Sequence, residues 1–303
     1  MKVLVTGGAG FIGSNVVAAL EERGDEVVVV DTFEHEGQWK NLAKRTGVDV
    51  YAGRVWDGTV NAIVHMAAIS SPAETDTEKV LEANLHLSQR LWRAAERLNV
   101  PFIYASSAGV YGNGNGPLTP YAWSKLLFDQ WVERQETTPP HWAGLRFTNV
   151  YGPNEYHKPD PSPIARWYRQ AKAGEPITLY RNRAKTGDYK RDFVYVDDVV
   201  DVVLWALCQS NLQGVFDVGT GESAEWSKML WEFELNMGVA GRGINHKIQE
   251  VPFPYDLLAR YQWDNTADLS RLRAAGYRGA FRSPDVGVHE YVTKYLATED
   301  PYR

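Results

Sequence analysis

Short apolar runs alternate along this chain with longer segments in which apolar residues recur at every third or fourth position. The runs predict buried strands, and the longer segments predict amphipathic helices. Strands that alternate with helices are typical of an α/β fold, in which a doubly wound parallel sheet carries helices on both faces. Strands are predicted at residues 1–6, 26–30, 48–51, 62–65, 101–105, 142–147 and 214–218.

The later part of the chain has fewer strand patterns and ends in two helical stretches, at residues 227–237 and 284–296. We predict a Rossmann-type, dinucleotide-binding domain formed by residues 1–155 and 190–220. A smaller, discontinuous substrate-binding lobe is predicted from residues 156–189 and 221–303. In this arrangement the ligand cleft lies between the two parts.

A glycine-rich turn follows the first strand directly. Gly7, Gly10 and Gly13 are spaced so that the chain can turn sharply, approach a pyrophosphate closely and pack a helix against the strand. The helix that begins near Phe11 would point its N–H groups at the phosphates. The second strand ends at Asp31, about 20 residues beyond the glycines, where a carboxylate can accept hydrogen bonds from an adenosine ribose. The turn therefore predicts a bound dinucleotide.

A second group of residues predicts acid/base chemistry. Thr119 and Pro120 predict a helix start, which places Tyr121 and Lys125 one turn apart on the same helix face. The Lys125 ammonium, together with the positive charge of an oxidised nicotinamide, is expected to favour the phenolate form of Tyr121. Ser107, at the end of the fifth strand, would hold the substrate oxygen while Tyr121 exchanges its proton.

The composition of the chain argues against several kinds of partner and site. The chain has 303 residues and a formal net charge of −6 at pH 7, which argues against a nucleic-acid partner. Its single cysteine, Cys208, excludes intrachain disulfides and cysteine zinc sites and is expected to be a buried, unreactive thiol. Because no apolar run reaches membrane-spanning length, no membrane partner is expected. We predict a cytoplasmic protein without a metal site.

These motifs resemble those of the extended short-chain dehydrogenase/reductases that act on nucleotide sugars. The resemblance rests on the glycine turn, on Ser106-Ser107, on Tyr121-x-x-x-Lys125 and on the Asn-Val-Tyr-Gly-Pro run at residues 149–153. Within this family the chain is most similar to the ADP-L-glycero-D-manno-heptose 6-epimerases, through residues 149–158, 190–196 and 267–277. The resemblance implies an epimerase that oxidises C6 of a nucleotide-linked heptose transiently and reduces it again through bound NAD(P).

The resemblance also implies roles for individual residues. The catalytic set is Ser107, Tyr121, Lys125 and Lys158, in which Tyr121 and Lys158 match the two acid/base residues of the heptose enzymes. Cofactor contacts are expected from Gly7, Gly10, Phe11, Ile12, Gly13, Asp31, Thr32, Met66, Ala67, Ala68, Ser70, Asn84, Tyr121, Lys125 and Val150. Substrate contacts are expected from Ser107, Asn149, Asp160, Trp167, Arg191 and Tyr261.

Several departures from the heptose enzymes leave the exact sugar open. Asp160 and Trp167 stand where those enzymes have Ser and His. The basic loop at residues 181–185 is either a diphosphate clamp or a solvated surface, and Arg191 is the better phosphate candidate because it matches the family motif. The partner is in either case a nucleotide-diphosphate sugar. Another sugar-nucleotide 4-epimerase or reductase is an alternative, because C4 chemistry needs only the same Ser, Tyr and Lys.

A catalytically silent NAD(P) sensor is an alternative from a different class, and the intact Ser107, Tyr121 and Lys125 argue against it. Sister dehydratases carry Thr-Asp-Glu where this chain has Ser-Ala-Gly at 107–109, which argues against dehydration.

The choice of nicotinamide cofactor rests on conflicting signals. Asp31 by itself favours NAD, because a carboxylate repels a 2′-phosphate. The resemblance favours tightly bound NADP, with Lys40 or Arg54 in the place of a lysine that is Gln38 here. A homo-oligomer is expected. The helices that begin near residues 78 and 119 have enough apolar surface for an intersubunit bundle, as in relatives, but amphipathicity alone does not separate an interface from the core.

Overall fold

The valine- and isoleucine-rich runs of the sequence form the strands of a parallel sheet. The computed structural model describes residues 1–53, 56, 58–71, 73–181, 189–243 and 246–303. In chain order the strands are β1 (Lys2–Thr6), β2 (Glu26–Asp31), β3 (Val48–Ala52), β4 (Ala62–His65), β5 (Phe102–Ser107), β6 (Trp142–Phe147), β7 (Asn149–Tyr151), β8 (Ile177–Arg181), β9 (Lys190–Arg191), β10 (Phe193–Tyr195), β11 (Gln213–Val218), β12 (Ala224–Glu225) and β13 (Ile248–Pro252).

Within the described residues, seven strands form one sheet in the order β11-β6-β5-β4-β1-β2-β3, and every neighbouring pair is parallel. β1 pairs with β2 on one side and with β4 on the other, so that Leu4 lies between Val28 and Ile63. The winding reverses at this point, and open α/β sheets bind ligands at the carboxyl ends of the strands there. The predicted doubly wound α/β architecture is confirmed.

Helices cover both faces of the sheet and continue into the lobe. They are α1 (Phe11–Glu22), α2 (Thr77–Leu81), α3 (Leu87–Leu98), α4 (Pro120–Val132), α5 (Pro163–Lys172), α6 (Val196–Leu207), α7 (Trp226–Val239), α8 (Tyr255–Leu258), α9 (Ser270–Ala274) and α10 (Pro284–Tyr291). The long helix predicted from about residue 78 to 99 is divided, because a π-helical turn at Glu82–His86 separates α2 from α3. Wide turns of this kind are frequent at functional sites.

Apolar side chains form separate clusters for the sheet and for the lobe. Valines of β1, β2, α1 and α6 form the main sheet core, whereas Trp167, Phe233 and Tyr291 belong to a second cluster built on α5, α7 and α10. Leu272 and Tyr277 pack with the sheet core, although their sequence position assigned them to the lobe. The exact boundaries between the two parts stay a prediction.

Cys208 differs from its prediction, because its side chain is exposed. It lies immediately after α6, beyond the last buried position of that helix, and its sulfur accepts a hydrogen bond from Arg23 Nη1 at 3.3 Å. Among the described residues, no helix combines the length and the apolar character that crossing a membrane requires.

Candidate active site

A cavity of about 650 Å³ opens at the carboxyl edge of the sheet and extends towards the lobe. Its wall combines the glycine turn after β1, the segment after β4, the start of α4 and the loop before α5. All predicted catalytic residues line it. So do all predicted cofactor and substrate residues except Asn84 and Trp167.

The glycine turn has the shape that a pyrophosphate requires. Gly7 has a φ of +70°, and a Cβ atom there would lie 2.6 Å from the Cα atom of Ala67. A Cβ atom on Gly13 would lie 2.0 Å from the carbonyl oxygen of Gly7. Gly10 caps α1 without a side chain, so that the first N–H groups of the helix face the cavity uncovered. The turn therefore fits the phosphates of a dinucleotide.

Asp31 both lines the cavity and holds the glycine turn in place. Its carboxylate accepts hydrogen bonds from the N–H groups of Ala9 at 3.0 Å and Phe33 at 3.1 Å. The amide of Gln38 donates a third bond, also at 3.0 Å. Since a carboxylate has about four acceptor positions, one is left for a ribose hydroxyl.

Asn84 does not line the cavity, and its role as a cofactor contact stays a prediction. Its side-chain amide exchanges two hydrogen bonds with the backbone of Ile69, at 2.8 and 3.0 Å, and donates a third to Ser124 Oγ at 3.0 Å. The Ser124 hydroxyl in turn donates to the carbonyl oxygen of Tyr121 at 2.7 Å. Because these partners use its donors and its oxygen, Asn84 joins the segment after β4 to the start of α4.

The start of α4 places the predicted acid/base pair as expected. Thr119 caps the helix by accepting a hydrogen bond from the N–H of Ala122 at 3.2 Å. Lys125 Nζ lies 6.0 Å from the centroid of the Tyr121 ring and donates to the carbonyl oxygen of Ala105 at 2.8 Å. Burial lowers the pKa of Lys125 to about 8, with Asp129 acting in the opposite direction.

The pKa of the Tyr121 phenol is set here by the groups of the protein, without the nicotinamide charge on which the predicted phenolate also depends. Burial raises its pKa, and the hydrogen bond with Ser107 offsets that effect only in part. The negative charge of Asp129 acts in the same direction as burial, so the groups of the protein favour the protonated form of Tyr121.

Sequence reasoning missed the buried polar cluster beneath this pair. Asp129, one turn after Lys125, accepts hydrogen bonds from Tyr104 at 3.0 Å and from Ser106 and Arg146 at 2.8 Å each. The side chain of Asp129 is nearly fully buried, and Arg146 is its ion-pair partner. This cluster ties α4 to β5 and β6, directly behind the catalytic helix face.

Lys158 enters the cavity from the loop before α5. Its ammonium lies 5.3 Å from the centroid of the Phe11 ring, which belongs to the glycine turn. Burial lowers the pKa of Lys158, against the opposing charges of Glu155 and Asp160. Lys158 forms no ion pair with any residue that the structure describes. Burial therefore makes the ammonium of Lys158 a more ready proton donor than that of an exposed lysine.

The lobe side of the cavity carries the predicted substrate contacts. Arg191 lies 4.0 Å from the centroid of the Tyr261 ring, and its Nη1 donates to the carbonyl oxygen of Lys190 at 2.9 Å. Asn149 Oδ1 accepts a hydrogen bond from Asn265 at 2.6 Å. Asp160 accepts one from Ser71 at 2.5 Å, which joins the loop before α5 to the segment after β4.

Trp167 corrects its prediction as a substrate contact. It has no solvent exposure, its indole N–H donates to the carbonyl oxygen of Thr178 at 3.0 Å, and its ring packs against Phe233. On α5 the side chain of Trp167 packs in the lobe core, whereas that of the adjacent Arg166 lines the cavity.

Arg166 is the main cavity residue that sequence reasoning missed. An arginine flanked by Ile164, Ala165 and Trp167 was the available signal, since a charge inside an apolar helical segment needs a partner. Lys40 is exposed and does not line the cavity. Arg54 and residues 182–185 of the basic loop lie outside the described residues.

Known proteins are similar to this chain over most of its length. Residues 3–219 match the profile of the NAD dependent epimerase/dehydratase family. The chain is 35% identical to an ADP-L-glycero-D-manno-heptose-6-epimerase of Fusobacterium nucleatum subsp. nucleatum over 99% of both chains. The Helicobacter pylori ADP-L-glycero-D-manno-heptose-6-epimerase is 25% identical, with a TM-score of 0.84 over 97% of this chain and 95% of that one. A Thermus thermophilus UDP-glucose 4-epimerase, solved in complex with NAD, is 29% identical, with a TM-score of 0.79 over 96% of this chain and 98% of that one.

Proposed function

The chain belongs to the NAD-dependent epimerase/dehydratase family, and from this premise we propose that it inverts C6 of an ADP-linked heptose. The observation that carries the proposal is that two proton-transfer groups, Tyr121 and Lys158, line one cavity from different elements. Full-length similarity to enzymes named for ADP-heptose 6-epimerisation supports the choice of substrate.

A nicotinamide cofactor, when bound, supplies reversible transfer of hydride from and to the inverted carbon. The residues proposed to hold it are the glycines of the turn, Asp31 and the segment 66–70. We propose that it is NAD, because Asp31 and Glu34 line the ribose end of the cavity. A carboxylate at this position disfavours the 2′-phosphate of NADP.

Tyr121 is proposed to exchange the proton of the sugar hydroxyl. As a protonated phenol it is ready to donate, and it accepts a proton in the reverse direction. Ser107 supports this role by hydrogen bonding. The ammonium of Lys125, 6.0 Å from the centroid of the Tyr121 ring, is proposed to stabilise the phenolate that forms transiently.

Lys158 is proposed as the second acid/base group. Inversion requires that the carbon be reached from both faces, so the sugar oxygen meets a proton donor in either of two orientations. A partly desolvated amine with a lowered pKa suits this task, since it loses its proton more readily than an exposed lysine and can regain it. Binding energy from Arg191 and Tyr261 would hold the rest of the substrate while the sugar turns.

The proposal is tested by incubating the purified enzyme with a panel of nucleotide sugars in deuterated water, read by NMR. We expect inversion at C6 of ADP-glyceromanno-heptose without deuterium at C6, because the hydrogen that leaves the carbon returns to it. Inversion at another carbon, or deuterium at C6, would overturn the proposed reaction.

A sugar-nucleotide 4-epimerase is the second candidate. The Thermus UDP-glucose 4-epimerase matches this chain over nearly its whole length, and Ser107, Tyr121 and Lys125 suffice for C4 chemistry. The same panel separates the two candidates, because UDP-glucose would then be inverted and ADP-heptose would not.

The homo-oligomeric state of the protein stays a prediction.

A further inference from the structure

Arg166 has buried hydrogen-bond donors that no described residue satisfies. Its Nε and Nη2 atoms are inaccessible to solvent and have no acceptor. The side chain lines the cavity, where its guanidinium lies 5.2 Å from the Tyr180 ring centroid and 5.6 Å from that of Trp226. These two rings contact the guanidinium group but accept no hydrogen bond from its Nε and Nη2 atoms.

The unsatisfied atoms form one edge of the guanidinium. The N–H bonds of Nε and Nη2 run parallel and match two oxygen atoms of one phosphoryl or carboxylate group. The indole N–H of Trp226, which also lines the cavity, is buried without an acceptor as well. Three donors on one part of the wall therefore lack an oxygen-rich, negatively charged partner.

Arg191 provides a second cation in the same part of the cavity. It is 5% exposed, stacks on Tyr261, and has no ion-pair partner among the described residues. The negative charge of Asp160 raises the pKa of Arg166 against the larger, lowering effect of burial, but within the described residues the two side chains form no ion pair. Two guanidinium groups without ion-pair partners among the described residues match the two negative charges of a nucleotide-sugar diphosphate.

We propose that Arg166 binds a phosphoryl group of the substrate diphosphate side-on, as the partner of Arg191. The inference rests on the proposed function for the presence of a diphosphate. A carboxylate on the sugar presents the same pair of oxygens, so the test includes a pair of ligands that differ only in that group.

The test measures the affinity of the NADH-saturated enzyme for nucleotides by calorimetry. In Arg166→Met the ADP affinity is expected to fall about 10- to 100-fold, which is the range for losing charge-assisted hydrogen bonds. Adenosine, which has no phosphate, should bind as it does to the wild type. Arg166→Lys keeps the charge but not the paired N–H groups and should recover only part of the loss. Arg169→Met is the control, because Arg169 is exposed on the same helix and does not line the cavity.

Unchanged ADP affinity in Arg166→Met would overturn the proposal. Equal losses for ADP and adenosine with a lowered unfolding midpoint would also overturn it, since the arginine would then serve the fold. A loss that distinguishes UDP-glucuronic acid from UDP-glucose, with ADP unaffected, would assign the site to a sugar carboxylate instead. If UDP or GDP binds better than ADP and the Arg166 effect persists, the proposed substrate is wrong while the role of Arg166 stands.

Discussion

The ammonium of Lys125 lies 6.0 Å from the centroid of the Tyr121 ring, and its hydrogen bond to Ala105 ties it to the end of β5. Among the described residues no hydrogen bond joins Lys125 to the phenol, so the role proposed for Lys125 depends on its charge alone. Since burial raises the pKa of Tyr121, the resting enzyme holds a phenol that is poised to donate. In the proposed mechanism the ammonium would act when the phenolate forms.

Replacing Tyr121 by Phe should lower turnover about 10²- to 10⁴-fold, which is the usual contribution of a positioned acid/base group. Cofactor affinity should stay unchanged, because the ring and its packing remain. Turnover and an NADH fluorescence titration measure the two effects. Tyr168→Phe is the matched control, since Tyr168 lies on α5 outside the cavity. Wild-type turnover in Tyr121→Phe would remove the tyrosine from the mechanism.

Replacing Lys158 by Met should abolish epimerisation but leave a slow, partial oxidation of the substrate. The reason is that Tyr121 still serves one orientation of the sugar while the other loses its proton donor. Product analysis by NMR and cofactor absorbance separate the two reactions. Lys172→Met, at the exposed end of α5, controls for charge. If Lys158→Met epimerises normally, the two-group mechanism fails.

Replacing Gly13 by Ala should prevent cofactor binding and lower the free energy of unfolding by about 1–3 kcal/mol. The new methyl group would lie 2.0 Å from the carbonyl oxygen of Gly7, so that α1 must move away from the turn. Urea unfolding and NADH titration provide the measurements. Gly47→Ala is the control, because the nearest atom there is the flexible carboxylate of Glu21 at 3.3 Å. Normal NADH affinity in Gly13→Ala would contradict the close-approach argument.

His65 should make the protein less stable in acid. Its ring is buried between Thr6 and Ser88, and burial, with a smaller contribution from Lys125, lowers its pKa to about 3. An unfolded histidine titrates near 6.5. The contribution of the neutral, buried His65 to the free energy of unfolding is therefore complete above that pH and is lost as the pH falls from about 6.5 towards 3. The slope attributable to this group is at most about 1.4 kcal/mol per pH unit.

Urea unfolding at several pH values would measure this slope, and His65→Gln should flatten it. An identical slope in the variant would show that other groups carry the acid sensitivity.

NADH should bind more tightly than NADPH. The carboxylate of Asp31 faces the cavity where the adenosine ribose is expected, and a 2′-phosphate would meet its negative charge. Competitive titration measures the ratio of the two dissociation constants, and Asp31→Asn should reduce it. Asp49→Asn is the control, because the side chain of Asp49 is exposed on β3. A wild-type preference for NADPH would refute the assignment of NAD.

Local spacing alone determined much of this site. Gly7 and Gly13 must approach other backbone atoms wherever this turn occurs, and Tyr121 and Lys125 share a helix face because they are four residues apart. The parallel sheet follows equally from the alternation of apolar runs with helical periods.

Only the tertiary structure decided which side chain on a helix meets the ligand. Asn84 and Trp167 do not line the cavity, while Arg166 does. Periodicity identifies the buried positions of a helix, but it does not tell which of them face a core and which face a cavity. That distinction, like the raised pKa of Tyr121, depends on segments far apart in sequence, because burial and hydrogen-bond partners exist only once those segments have packed together.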